Sequence, residues 1–238
     1  LCGCRGPSVV AVGAGLRRGL LMHLDGARLF NAAAELASAP TGDESVEGRQ
    51  PASGTSNAKL PTPDAVVREA RRICAGFDTV SLCLSKGLGC PVGSILLASR
   101  ETIAQARRIR KMLGGGLRQA GILAAAGRFA LANHLERLVE DHRLATRLSA
   151  GLEQLANSHP LLSARVRVRP ATTNMVFVDI EPTLAGELAS HLDASGLGFT
   201  SSRQANGWLR QRWVTHLDLG TDDVEHALAI WRSFAGRD

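Results

Sequence analysis

The sequence predicts an α/β first domain followed by a smaller α+β domain. Short apolar segments typical of buried strands alternate with helical segments along the chain, and the second half is richer in strand candidates. A long Ala/Leu-rich helical stretch over residues 119–158, broken once, connects the two regions. We therefore expect the first domain to occupy residues 1–137 and the second to occupy residues 138–238.

The first domain contains three predicted strands. Residues 20–24 (LLMHL) end in Asp25-Gly26, residues 79–84 (TVSLCL) end in Ser85-Lys86-Gly87, and residues 94–98 (SILLA) form the third. Apolar runs that end in polar residues and glycine are typical of buried strands that run into loops. Ligands of open α/β sheets bind where strands deliver their carboxyl ends, so Asp25 and Lys86 mark the candidate site.

Three helices are predicted around these strands, over residues 27–36, 64–73 and 100–112. Asp64 is expected to be the N-cap of the second helix, and a run of three glycines ends the third. Residues 38–63 (SAPTGDESVEGRQPASGTSNAKLPTP) are dense in Pro, Gly, Ser and Thr. We interpret them as an inserted flexible loop, because this composition cannot pack a core.

The second domain combines strand candidates with two further helices. The helices are expected over residues 184–194 and 222–234, the latter with Thr221 as its cap. The strands are expected at residues 165–169 (RVRVR), 174–180 (NMVFVDI), 197–201 (LGFTS) and 211–216 (QRWVTH).

The composition argues against several classes of protein. The longest apolar runs are broken by Gly or Arg well short of the about 20 residues that a membrane-spanning helix needs. The net charge is +6, but the arginines are spread out, and the aromatic residues on which bases would stack make up only 4% of the chain. We therefore predict neither a membrane nor a nucleic-acid partner.

The five cysteines predict neither a disulfide framework nor a zinc site, because their number is odd and no CxxC or His pair has ligand spacing. We therefore expect the protein to reside in a reducing compartment, the cytoplasm. The chain begins with Leu1 rather than Met, and three arginines precede its first acidic residue, Asp25. Such a start is compatible with a transit peptide, which keeps the mitochondrion as an alternative, or with a chain cut from a longer one.

Asp25 and Lys86 form a minimal pair for binding pyridoxal phosphate. A lysine amine forms a Schiff base with this cofactor, and a carboxylate pairs with its pyridinium nitrogen. Only three of the 28 cations in the chain are lysine, so a lysine kept in a strand-end loop suggests chemistry that requires an amine. Two alternatives stay open: Asp25 also fits a turn residue that caps the next helix, and Lys86 an exposed loop lysine.

Three ordered segments carry a resemblance: HLDGARLFNAA (23–33), SLCLSKGLGCPVGS (81–94) and RRIRKMLGGGLRQAGILAAAG (107–127). They resemble the low-specificity L-threonine aldolase family, and RWVTHLD (212–218) is similar to the family's C-terminal signature. The resemblance implies a PLP-dependent transferase-like large domain with a mixed, mostly parallel sheet, plus a smaller α+β domain. It further implies retro-aldol cleavage of L-threonine or L-allo-threonine to glycine and acetaldehyde, by a homo-oligomer that is a dimer or tetramer.

The resemblance assigns roles to the residues of these segments. It implies that Lys86 forms the Schiff base with pyridoxal phosphate and that Asp25 pairs with the pyridinium nitrogen. Arg28 and Arg212 match arginines that bind the substrate carboxylate. A planar guanidinium suits that role, because it meets a carboxylate with two hydrogen bonds.

Two further cations match cofactor-binding residues of the family. Arg118 matches a residue that reaches the cofactor phosphate across a subunit interface, and Lys111 matches a lysine that lines the site. Lys111 is equally typical of a cation on a basic helix face. His23 and His216 also lie in the matched segments, but a strand histidine is more often a packing residue than a catalyst.

The chain departs from the family before His23. Family members carry a long N-terminal segment there, with a Gly-Thr phosphate cup, a substrate-binding serine and a histidine that stacks on the cofactor, whereas 22 residues precede that position here. We expect this segment to be lacking, and the 38–63 insertion is a second departure. We therefore keep a non-enzymatic alternative: a truncated, catalytically inactive relative of the family that acts as a non-catalytic partner.

Overall fold

A computed structural model describes residues 19–38 and 60–236, which divide into two compact units. The first unit contains residues 19–38 and 60–138, and the second contains residues 139–236. The start of the chain and most of the predicted insertion lie outside the described residues. Within the described ranges, no helix combines the length and the apolar character needed to cross a membrane.

The first unit is built on a mixed three-stranded sheet. Strand β1 runs parallel to β2, and β3 runs antiparallel to β2, in the order β1-β2-β3. Helices α1 and α2 pack against each other. The elements are β1 (His23–Gly26), α1 (Leu29–Ser38), α2 (Pro63–Cys74), β2 (Thr79–Cys83), β3 (Ser94–Leu97), α3 (Arg100–Met112) and α4 (Gly121–Asn133).

The parallel pair β1 and β2 buries one face and leaves the other polar. Leu24 of β1 pairs with Val80 of β2, and both are buried. Asp25 pairs with Ser81 on the opposite face, because successive side chains of a strand alternate. The polar face therefore carries the predicted site residue of β1.

The start of α2 differs from the expectation that Asp64 is its N-cap. Thr62 holds the N-cap position, and its Oγ1 accepts a hydrogen bond from the Ala65 backbone N–H at 3.2 Å. Pro63 follows as the first helical residue, where its missing N–H costs nothing. Asp64 instead lies in the first turn, where its negative charge is favourable to the helix dipole.

The second unit is a four-stranded antiparallel sheet with helices on one face. The sheet order is β4-β5-β7-β6. Helix α5 begins at the boundary between the units. The elements are α5 (Leu138–Ser158), β4 (Val166–Arg169), β5 (Met175–Ile180), α6 (Pro182–Ala194), β6 (Thr200–Arg203), β7 (Leu209–Val214) and α7 (Thr221–Ala235).

The core of this unit lies between the sheet and its helices. Val176, Val178 and Ile180 of β5 are fully buried, and side chains from α5, α6 and α7 join them in one apolar cluster. Trp213 of β7 stacks against Phe199 with ring centroids 5.6 Å apart. The intervening residues of the strands point to the opposite face, which is rich in arginine.

The start of α7 also differs in detail from the prediction. Gly220, not Thr221, holds the N-cap position. The side chain of Asp223 reaches back, and its Oδ2 accepts a hydrogen bond from the Gly220 backbone N–H at 2.8 Å. A glycine therefore serves as the cap because an acidic residue in the first turn satisfies its N–H group.

Candidate active site

The parallel pairing of β1 and β2 brings two predicted site residues to one edge of the sheet. Asp25 lies opposite Ser81, and Lys86 follows Ser81 by five residues in the loop after β2. Because parallel strands deliver their carboxyl ends to the same edge, Asp25 and Lys86 share that edge. Both side chains are exposed.

The thiol of Cys83 at the end of β2 is influenced by charged side chains from both strand ends. Its Sγ lies 3.3 Å from Ser85 Oγ. Partial burial opposes ionisation of the thiol, but hydrogen bonds with Ser85 and the positive charges of Lys86 and Arg28 outweigh it and lower the pKa of Cys83. Lys86 and Arg28 therefore both act on this thiol, and we call Asp25, Arg28, Cys83, Ser85 and Lys86 the strand-end cluster.

Reactive groups at this edge are available to a ligand. Oδ1 of Asp25 accepts a hydrogen bond from the Ala27 backbone N–H at 3.1 Å. Within the described part of the chain, Oδ2 of Asp25 and the Lys86 amine make no hydrogen bond or ion pair. A carboxylate oxygen and a primary amine thus remain open at the same sheet edge.

The loop that carries Lys86 is fixed by its own backbone. The Lys86 carbonyl accepts a hydrogen bond from the Gly89 N–H at 2.8 Å, which closes a tight turn. Gly89 has a φ of 70°, a conformation that a residue with a side chain rarely adopts. Leu84 accepts a hydrogen bond from the Cys90 N–H at 3.0 Å, and its own N–H donates to the Gly93 carbonyl at 2.9 Å.

Side chains from three helical regions hold this loop. Gly87 lies so close to α1 and to the start of α5 that a Cβ there would be 2.7 Å from Asn31 Oδ1 and 2.8 Å from Leu138 Cδ2. His134 follows α4, and its Nδ1 donates a hydrogen bond to the Leu88 carbonyl at 2.7 Å. These contacts position the residues that directly follow Lys86.

Sequence reasoning did not identify Asn31, Gly87 or His134. Asn31 and Gly87 lie within the segments that carry the resemblance, and Asn31 is a polar residue in an apolar helix, which was a usable indication. Asn31 is 2% exposed. Nothing in the sequence around His134 indicates its contact with Leu88.

Three predicted site residues, Lys111, Arg118 and Arg212, are not part of the strand-end cluster. Lys111 is exposed near the end of α3, and its Nζ would lie 3.4 Å from a Cβ at Gly116. Arg118 is exposed in the loop between α3 and α4. Among the described residues, neither makes a polar contact with the strand-end cluster. Arg212 lies on β7 of the second unit, paired with Phe177.

The two histidines of the matched segments have local partners. His23 Nδ1 lies 2.7 Å from Thr79 Oγ1 across the β1-β2 pair. His216 follows β7 and contacts Asp218, with Nδ1 and Oδ2 3.4 Å apart. Both are therefore engaged in contacts within their own units.

The chain matches known proteins over most of its length. Residues 11–183 match the family model described as beta-eliminating lyase. The chain is 36% identical over 220 residues to the low-specificity L-threonine aldolase of Escherichia coli, covering 92% of this chain and 53% of that protein. The chain spans about half the length of the curated relatives that it matches.

Solved structures share the fold. Threonine aldolase from Leishmania major aligns with a TM-score of 0.63 at 18% identity, covering 94% of this chain and 55% of that one. Serine palmitoyltransferase from S. paucimobilis, solved with bound PLP–myriocin aldimine, aligns with a TM-score of 0.59 at 16% identity, covering 98% of this chain and 52% of that one. These likenesses confirm the predicted fold class.

Proposed function

Because this chain belongs to the beta-eliminating lyase family, we propose that it is a pyridoxal-phosphate-dependent aldehyde-lyase acting on L-threonine or L-allo-threonine. The products are glycine and acetaldehyde. The proposal rests above all on the parallel register of β1 and β2, which gives Asp25 and Lys86 a common sheet edge. Similarity to threonine aldolases over nearly the whole chain supports the substrate class.

The groups at this edge fit pyridoxal phosphate. The exposed carboxylate of Asp25 suits the ring nitrogen, and the Lys86 amine suits the cofactor aldehyde. Lys111 and Arg118 would add positive charge for the phosphate group. When bound, the cofactor supplies an electron-accepting ring, which stabilises the negative charge left on the substrate α-carbon by bond cleavage.

The chain's own residues orient the substrate and hold protons. The carboxylate of Asp25 would accept a hydrogen bond from the protonated ring nitrogen and so hold that proton in place. The family resemblance assigns the substrate carboxylate to Arg28 and to Arg212; a guanidinium would meet it with a planar fork and so help to fix the direction of the Cα–Cβ bond. Removal of the β-hydroxyl proton forms the carbonyl of acetaldehyde as that bond breaks, and the α-carbon takes up a proton to give glycine.

A coupled assay tests this function. Acetaldehyde is measured by its reduction with alcohol dehydrogenase, and glycine is measured by mass spectrometry in the same sample. We expect equal amounts of both from the native chain with pyridoxal phosphate. We expect neither from Lys86→Ala, and normal activity from the matched control Lys59→Ala. A native chain that binds the cofactor but releases no glycine would contradict the proposal.

We further infer that the chain acts as a homo-oligomer. Large apolar side chains are exposed around α3 and α4: Met112 (75%), Leu113 (81%), Leu117 (71%), Ile122 (82%) and Phe129 (61%). An apolar surface of this kind is typical of an interaction site. Arg118 lies among these side chains, which suits the role across a subunit interface that its family resemblance implies.

Sedimentation equilibrium tests the oligomer. We expect a dimer or tetramer for the native chain and a monomer for Ile122→Glu, because a buried carboxylate without a partner opposes association. A native chain that stays monomeric at the concentrations used for the activity assay would overturn this inference.

We also propose a cytoplasmic location, with the mitochondrial matrix as the alternative. Cys74, Cys83 and Cys90 are free thiols in the described part of the chain, which supports a reducing compartment. Cell fractionation with antibodies against the chain separates the two locations.

A further inference from the structure

A basic pocket lies on the face of the second unit's sheet that the helices leave open. Arg167 of β4, Asp179 of β5 and Arg210 of β7 form one row across three neighbouring strands. Arg169 follows on β4, and Gln204, Ala205 and Asn206 complete the lining. The pocket has a volume of about 530 Å³. This lies within the range of about 300–1,000 Å³ that is usual for small-molecule sites.

The pocket contains more positive than negative charge. Asp179 accepts two hydrogen bonds from Arg210, Nε to Oδ1 at 2.6 Å and Nη2 to Oδ2 at 2.8 Å. Arg169 Nη2 lies 3.4 Å from the same Oδ2. Three guanidinium groups and one carboxylate line the pocket, so the lining carries an excess of two positive charges although Asp179 pairs with both Arg210 and Arg169.

Arg167 is held in place without being neutralised. Its guanidinium carbon lies 4.3 Å from the centroid of the Trp208 ring. A guanidinium stacked on an aromatic ring keeps its N–H donors free at its edge. Among the described residues Arg167 has no carboxylate partner, so these donors remain available to a ligand.

The rim of the pocket is preformed by the β6-β7 hairpin. The Gln204 N–H donates to the Trp208 carbonyl at 2.8 Å, and the Gly207 N–H donates to the Gln204 carbonyl at 3.0 Å. Gly207 has a φ of 85°, which only glycine adopts readily. The side chain of Asn206 accepts from the Trp208 N–H at 3.2 Å. The turn therefore fixes Trp208 and, through it, Arg167.

We propose that this pocket is a binding site for a compact dianion, a phosphate group or a dicarboxylate. The excess of two positive charges in the lining matches the charge of such a ligand, and the forked donors of arginine meet its oxygens in pairs. Arg212, which is predicted to bind substrate, is not among the lining residues, although it follows Arg210 by two residues on the same face of β7. The proposal rests on the lining residues alone and does not depend on the proposed catalytic function.

Isothermal titration of the full chain tests this site with inorganic phosphate and with malonate, in 150 mM sodium chloride. We expect saturable binding of at least one of them. Arg167→Gln should weaken that binding by about tenfold or more, because it removes charge-assisted hydrogen bonds. The control is Arg232→Gln, an exposed arginine in the last turn of α7, which should bind as the native chain does.

The outcomes separate the possible ligands. Binding of phosphate that Arg167→Gln weakens supports the site with a phosphate ligand, and the same result with malonate alone supports it with a dicarboxylate. Binding that is unchanged in Arg167→Gln, or equally weakened in Arg232→Gln, would overturn the proposal. The absence of saturable binding of either anion would overturn it as well.

Discussion

Replacing Gly87 by alanine adds a methyl group where the loop of Lys86 packs closely against neighbouring side chains. The added methyl group would lie 2.7 Å from Asn31 Oδ1 and 2.8 Å from Leu138 Cδ2, whereas ordinary contacts lie at 3.4–4 Å. Asn31 is 2% exposed and Leu138 is fully buried, so neither can swing into solvent. The loop must move away, and it carries Lys86 with it.

Two effects follow from this displacement. Crowding a packed core costs about 1–3 kcal/mol, so the free energy of unfolding in urea should fall by that amount. Misplacing a reactive group by about 1 Å costs on the order of a hundredfold in rate, so release of glycine should fall by about that factor. Urea denaturation and the coupled assay measure the two effects separately.

Two variants make this prediction specific. Gly198→Ala is the control, because Gly198 is exposed in the loop between α6 and β6 with open space around an added Cβ, and it should lower neither stability nor rate. Asn31→Ala combined with Gly87→Ala should cost less than the sum of the single changes, because removing the amide relieves part of the clash. A Gly87→Ala chain with native stability and native rate would refute the reasoning.

Three further predictions concern other described residues. His134→Ala should lower the free energy of unfolding by about 1–2 kcal/mol, because it leaves the Leu88 carbonyl without its donor. Asp179→Asn should destabilise the chain at neutral pH, because the contacts with Arg210 outweigh partial burial and lower the pKa of Asp179. The destabilisation caused by Asp179→Asn should begin to fade as the pH falls through 3.8, where the unfolded chain is protonated, and should be lost below the lower pKa of the native carboxylate. Cys83 should react with iodoacetamide before the other described thiols, because its pKa is lowered.

These predictions have matched controls. His226→Ala changes an exposed histidine of α7 and should leave unfolding unchanged. A destabilisation by Asp179→Asn that stays constant from pH 7 to about pH 3 would contradict the role of the ion pair. Ser85→Ala should slow alkylation of Cys83, because it removes a hydrogen bond that favours the thiolate. Faster alkylation of Cys74 or Cys90, whose pKa values are raised by burial, would contradict the third prediction.

The sequence pattern predicted correctly those helices whose ends are set by neighbouring residues in the chain. Helix α3 was predicted over residues 100–112 and occupies those residues, because Ser99 caps its start and the glycine run follows its end. The first strand was predicted at residues 20–24 but lies at His23–Gly26. Its position follows from pairing with β2, which no local pattern contains, and Leu21 before it is 87% exposed.

The candidate site could be predicted only where its residues carry recognisable chemistry. Asp25 and Lys86 stand at strand ends, so a sequence pattern points to them. The contact between Gly87 and Asn31 joins residues far apart in the chain and depends on how α1 packs beside the loop. The alternating RVRVR segment predicted strand β4, but only the register with β5 and β7 brings its arginines beside Asp179 and Arg210.

The central claim is that Lys86 is the lysine that binds pyridoxal phosphate. The most direct test compares the absorption spectra of the native chain, Lys86→Ala and the control Lys59→Ala, each purified and mixed with pyridoxal phosphate. We predict a visible absorption band that sodium borohydride removes, that Lys59→Ala keeps and that Lys86→Ala lacks. A folded chain that stays colourless, or a band of equal strength in Lys86→Ala, would contradict the assignment of Lys86 as the cofactor lysine.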